Sequence, residues 1–317
     1  MKKSVAIVGA GVSGLTCGVA FAERGFEARI VAEQVGTRTT SGAAAALWFP
    51  YDARPPERVI PWARTTYQVL VDLSKDPRTG VSIVELRQYC RTGKIQIPEW
   101  ASAFLVSSEA EGSLNISDSV FSDCFSIKVP LTDTTIYLDY LADRFQKAGC
   151  EIKSAVRFEK LEDIDAKFDL LINCAGIGAR DLANDADLEP HRGQVAIVPK
   201  IDNLNCAIVC DDAPLLYAIP RTNDCVFGGT NNISNKLEAD PQTTEAIVAE
   251  CSRVLKIDNP RVLSERVGLR PFRKSGVRLE KEKLSDGRTV IHNYGHGGSG
   301  FTLSWGCARE VLELAKI

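Results

Sequence analysis

Of 317 residues only three are histidine and one is methionine, and the formal net charge is −3. Lys+Arg 38 stand against Asp+Glu 41, so there is no field of one sign to hold a nucleic acid or an anionic membrane surface. No apolar run approaches the ~20 residues that cross a bilayer. Ten cysteines are present, but no two form a CxxC pair, and with so few histidines no structural zinc site is expected. Several of these cysteines lie in apolar runs, where a free thiol packs as a small hydrophobe. The opening MKKSVAIVGAG starts basic, yet glycines break its apolar stretch, which argues against a signal peptide. The expectation is a reduced, cytoplasmic protein with no metal, no nucleic acid and no membrane partner. Its 44% hydrophobic and 25% charged content is that of an ordinary globular chain, long enough for two domains.

The pattern along the chain supports two interleaved units. Residues 4–8 read as a buried strand, followed by glycines, an amphipathic stretch to about Gly25, and a second strand over 27–32. Such a βαβ opening implies a parallel sheet covered by helices. A helical period follows Pro-rich turns in 55–75, a strand-like, polar stretch with loop clusters such as SSEAEGS fills 82–135, and a helix is predicted over 138–149. Residues 167–176 form another buried strand. GQVAIV, CAIVC, LLYAI and CVFGG alternate between turns over 192–230, as in an antiparallel sheet. A helix over 243–256, strands near 262–269 and 287–294, and a last helix over 300–315 complete the reading. The predicted fold is α/β. A Rossmann-type nucleotide domain (1–50, 138–190 and 283–317) is interleaved with an antiparallel-sheet substrate domain (51–137 and 191–282).

Gly9-Ala10-Gly11-Val12-Ser13-Gly14 follows a strand and opens a helix, and Glu33 ends the second strand nineteen residues later. Gly9 permits the tight turn, Gly11 admits a pyrophosphate, Gly14 lets helix pack on strand, and Glu33 can accept from ribose hydroxyls. The helix N-terminus adds partial positive charge at the phosphates. Gly295-His296-Gly297-Gly298-Ser299-Gly300 repeats the glycine spacing, but too few residues follow for a second strand and its acid. It is expected to present the last helix to another part of the same cofactor, where charge gathers on reduction.

GAGVSGL, RTTSGAAAALWFPY (38–51), HRGQV (191–195), YAIP (217–220), VGLRPFRKSGVRLE (267–280) and HNYGHGGSGFTLSWGCA (292–308) together resemble the D-amino-acid oxidase family of flavoenzymes, end to end and in family order. The resemblance implies FAD as cofactor and oxidative deamination by hydride transfer to flavin N5, giving a 2-oxo acid, ammonia and hydrogen peroxide. It makes Arg270 the grip on the substrate carboxylate, a role suited to the planar fork of a guanidinium. Tyr217 donates a second hydrogen bond there. Tyr51 and Gly298 are further pocket candidates, with Phe49 shaping a wall. Flavin contacts fall on Thr39, Thr40, Ser41, Ala45, Leu47, Gly297, Gly298, Gly300, Phe301 and Thr302, beside the residues of the first glycine motif. Expected partners are an amino-acid substrate and oxygen, and a homodimer is an open option.

The resemblance implies no general base, so His296 is expected to orient or pack. His191 and His292 carry no partner signal, and Arg192 and Gln194 begin a long strand. The segment between Gln194 and Tyr217 is short and holds no second tyrosine, implying a reduced or absent lid. Alternatives within the superfamily are glycine, a secondary amine, or D-aspartate, the last with Arg221 as the second cation. An NAD-linked dehydrogenase would have no use for the C-terminal glycine loop, and a flavin-binding protein without turnover would use Arg270 only to sense a ligand. The ending ELAKI rather than a tripeptide such as SKL adds to the cytoplasmic expectation.

Overall fold

The computed structural model describes residues 4–107 and 120–316. The SSEAEGS cluster lies, but for its first residue, outside them. Two sheets share the chain. The first has six strands, in the order Arg278–Lys283, Thr289–Tyr294, Leu170–Asn173, Ser4–Ala10, Glu27–Val35 and Glu151–Lys153. All its neighbours run parallel except the hairpin joining the first two. Strands buried on both faces must be apolar throughout, and LLIN is buried at every position. The fold is therefore α/β, as the opening βαβ pattern predicts.

The second sheet has nine strands, antiparallel apart from one parallel pair between Val81–Cys90 and Cys206–Cys210. Gln88, Val209, Tyr217, Gly228 and Val195 stand in one row across five of its strands. Because strand side chains alternate with period two, this row and its i±2 neighbours face the same way. Ser264–Arg273 pairs along Leu188–Pro199 and places Arg270 opposite His191.

Helix Gly300–Leu314 packs on helices Val12–Ala22 and Pro56–Leu73, so the last and first segments share one core. The crossing with Pro56–Leu73 is close: a Cβ on Gly306 would fall 2.3 Å from the Trp62 carbonyl oxygen. Glu310 clamps it by accepting from Arg58 (2.8 Å) and from the Trp62 indole (2.5 Å).

Two boundaries differ from the sequence expectation. The helix predicted over 138–149 is Thr134–Lys147, because Asp133 caps it by accepting from the Thr135 amide at 3.0 Å. The strand Arg278–Lys283, which the division at 282 places in the substrate unit, is hydrogen-bonded to Thr289–Tyr294 of the six-stranded sheet. RLEKEK carries charges on both faces and a turn at Gly287, so its hairpin is not visible in hydropathy alone.

Candidate active site

A cavity of about 1410 Å³ lies where the two sheets meet, lined from Val8 to Phe301. At one end the strand Ser4–Ala10 turns at Gly9, whose φ of +102° is open to glycine alone. A Cβ on Gly14 would lie 1.9 Å from the Gly9 carbonyl oxygen, which fixes how closely helix Val12–Ala22 meets that strand. The Val12 amide donates to Ser41 Oγ at 2.9 Å, tying this helix start to the Thr39–Ser41 segment. Thr39 Oγ1 donates to the Gly36 carbonyl (2.7 Å) and Thr40 Oγ1 to that of Leu269 (3.3 Å). Glu33 is exposed on the cavity rim, 3.9 Å from Arg157.

Gly9, Ala10, Gly11, Val12, Ser13, Glu33, Thr39, Thr40, Ser41, Ala45, Leu47, Gly297, Gly298, Gly300 and Phe301 all line this one cavity. Two expected cofactor residues do not reach it. Gly14 is spent on the helix–strand contact. Thr302 is 1% exposed, its hydroxyl donating to the Phe49 carbonyl (2.9 Å) and accepting from the Phe49 amide (3.1 Å). Thr302 thus fastens the Ala45–Phe49 wall from behind.

At the other end Arg270 and Tyr217 meet. Arg270 is half-buried, and its Nη1 donates to the Thr230 carbonyl (2.9 Å) and to Asn231 Oδ1 (3.4 Å). No carboxylate among the described residues pairs with it, its guanidinium also meets the Tyr217 hydroxyl, and it lines the cavity. Tyr217 lies across Gly228 and Gly229, and Arg270 across Gly193. Burial raises the Tyr217 hydroxyl above its ordinary pKa, against a lowering by the Arg270 charge, so it is a donor at neutral pH. The Tyr51 ring covers Gly298, and its hydroxyl accepts from Asn231 Nδ2 at 3.3 Å, which joins it to Arg270 through one amide. Burial raises the Tyr51 hydroxyl as well.

Two of the three histidines are held by hydrogen bonds, and the third, His191, is held by ring stacking. His296 is buried and its pKa is lowered to about 4 by desolvation. Its Nε2 faces Asn293 Oδ1 at 3.0 Å and must carry the proton, since that oxygen can only accept. His292 lies between Asn173 (3.2 Å) and Glu282 (3.1 Å). His191 stacks on Phe272 with centroids 4.4 Å apart, 3.7 Å from Asp52.

Arg221 corrects an expectation. Its side chain is fully enclosed and bidentate to Asp224 (2.6 and 2.8 Å), with Asp133 at 3.8 Å, and it is not on the cavity. A strand-end arginine paired this way locks a turn and offers nothing to a substrate. Arg192 and Gln194 are also structural. Arg192 donates to the Lys236 and Glu238 carbonyls, and Gln194 to that of Asp240. They pin the segment that brings Asn235 and Leu237 to the cavity rim. Sequence reasoning missed these two, along with Asn231, Gln88 and Asp211. The period-two step from Leu86 to Gln88 is the signal that places Gln88 on the inward face.

A family model described as FAD dependent oxidoreductase matches residues 4–314. The D-amino-acid oxidase of Rubrobacter xylanophilus is 41% identical over 316 residues, covering 98% of this chain and 94% of that protein. That of Streptomyces coelicolor is 36% identical over 317 residues, covering 98% and 96%. Among solved structures, glycine oxidase from Geobacillus kaustophilus superposes with a TM-score of 0.82 at 17% identity, covering 99% of this chain and 95% of that one.

Proposed function

The chain belongs to the family of FAD dependent oxidoreductases, and on that premise we propose that it is a D-amino-acid oxidase. The reaction is D-amino acid + O2 + H2O → 2-oxo acid + NH3 + H2O2. The observation that carries the reading is Arg270: a half-buried guanidinium in a cavity, with no carboxylate partner among the described residues and a tyrosine hydroxyl beside it. A charge left so in a partly desolvated site calls for an anion of carboxylate shape.

The residues present fit an FAD. The cavity exceeds the ~300–1,000 Å³ of a single small-molecule site, leaving room for a dinucleotide and a small acid. Gly9, Gly11, Gly298 and Gly300 put no Cβ into it, and Ala43–Ala46 add only methyl groups. The N-termini of helices Val12–Ala22 and Gly300–Leu314 open toward it and favour negative charge there. Gly9–Ser13 with Thr39–Ser41 would hold the phosphates and Glu33 the ribose, while Ala45, Leu47, Gly297, Gly298 and Phe301 would bound the ring. When bound, FAD accepts the two electrons of the α-C–H bond and passes them to oxygen.

The chain's own contribution is positioning. Arg270 and the Tyr217 hydroxyl fix the carboxylate, Tyr51 and Gly298 bound the α-carbon, and one face of that carbon is thereby selected. His296, neutral and bonded to Asn293, takes no proton from substrate. We assign the cofactor to the six-stranded sheet and the substrate to the nine-stranded one. Among the described residues no helix is long and apolar enough to cross a membrane. Ten free thiols favour a reducing compartment such as the cytoplasm.

The test is Arg270→Ala in the purified holoenzyme. Loss of a bidentate charge-assisted pair in a half-buried site should lower kcat/KM for D-amino acids by about 100-fold or more. The yellow cofactor should stay bound. Full activity, or a colourless protein, would overturn the reading.

A further inference from the structure

One wall of the cavity carries a buried acceptor without a donor. Gln88 is 5% exposed, lines the cavity and donates from Nε2 to Asp211 Oδ2 at 3.0 Å. That bond fixes the amide, because turning it over would set an amide oxygen against a carboxylate. Its Oε1 is then buried with no hydrogen-bond partner among the described residues. An orphaned buried acceptor costs free energy until a donor arrives.

Asp211 stands on the same wall, two residues, or ~7 Å of strand, past Val209 of the Tyr217 row. It forms no ion pair among the described residues. Arg91 is already committed to Glu250 (2.9 Å) and the Pro214 carbonyl (2.8 Å). Of the charged residues lining the cavity, Arg270 lies on the strand Ser264–Arg273 of the nine-stranded sheet and Asp211 one residue past the strand Cys206–Cys210 of the same sheet. They have opposite signs. Tyr51 stands within the field of both, raised by Asp211 and lowered by Arg270.

A carboxylate beside an unpaired amide oxygen complements a cation with several N–H donors, an ammonium or a guanidinium. We propose that the substrate pocket selects D-amino acids with a positively charged side chain. Asp211 and Gln88 Oε1 receive that cation while Arg270 holds the α-carboxylate. The inference rests on the oxidase reading of the same cavity. It also opposes D-aspartate and D-glutamate, whose side chains would face Asp211 with like charge.

The wild-type holoenzyme decides first, through kcat/KM for D-lysine and for D-norleucine, which has the same carbon chain without the ammonium. D-Lysine is expected to lead by about 10-fold or more, the scale of a charge-assisted contact. In Asp211→Asn the D-lysine to D-norleucine ratio should fall about 10- to 100-fold. Asp211→Lys should move preference toward D-glutamate. If Asp211→Asn fails to hold flavin, Gln88→Leu is expected to lower the same ratio. A wild-type preference for D-norleucine, or a ratio unmoved by these changes, overturns the inference and leaves the oxidase reading standing. A yellow protein that oxidises neither substrate overturns both.

Discussion

His296 shows how one enclosed side chain ties stability to acidity. Its folded pKa is depressed to about 4 from an ordinary 6.5, so the folded state prefers the neutral ring. As pH falls below 6.5 the unfolded chain takes up a proton that the folded chain refuses, and stability drops until the folded pKa is passed. The loss over that window is roughly 3 kcal/mol. His296→Gln, which can still donate to Asn293, should flatten the fall in urea midpoint between about pH 6.5 and 4. Parallel curves for the two proteins would contradict this. Of the substrate-end residues, Arg270 and Tyr217 were legible because GLRP and YAIP carry them. Gln88 and Asp211 were not: a polar residue on a strand reads as solvent-facing until the sheet shows which face is inward.

At the scale of elements, the strand Leu188–Pro199 makes room for chemistry on its neighbour. A Cβ on Gly193 would stand 2.5 Å from both terminal nitrogens of Arg270. The atoms struck are the far end of a flexible side chain, so the guanidinium would yield and the sheet would not. Gly193→Ala should therefore lower kcat/KM by about 10-fold or more while the thermal midpoint stays within a few degrees, since the strand loses no hydrogen bond. A large fall in melting temperature with unchanged kinetics would refute it. The nature of most elements was readable from period, as in SVAIV and LLINCAG. Their ends were less so: the cap at Asp133 precedes the first apolar residue of its helix, and the charged strand Arg278–Lys283, with a single apolar residue, has no apolar face to announce it.

For the whole molecule, the cavity is bounded by both sheets, so a ligand filling it binds neither unit alone. FAD should bind only the folded chain and stabilise it by about 2.7 kcal/mol at a hundredfold excess over its dissociation constant. Melting of the apoprotein, followed by tryptophan fluorescence with rising FAD, should show a single transition moving upward. A second transition indifferent to FAD would mean the sheets unfold separately. The interleaving itself was legible, because the nucleotide motif, the buried 167–176 strand and the final glycine loop each belong with the first unit. The depth of the interlock was not. Strand Ser4–Ala10 is flanked by Leu170–Asn173, which leans in turn on Thr289–Tyr294, and helix Gly300–Leu314 closes over the first helix. A ribosome makes the chain in one direction. The opening βαβ unit thus leaves the exit tunnel long before its neighbours are translated, its apolar faces uncovered. The strand Thr289–Tyr294 and the helix Gly300–Leu314 complete the oldest sheet and its cover, so assembly waits until they are translated, and a nascent chain halted short of Thr289 should still expose apolar surface of the kind chaperones bind.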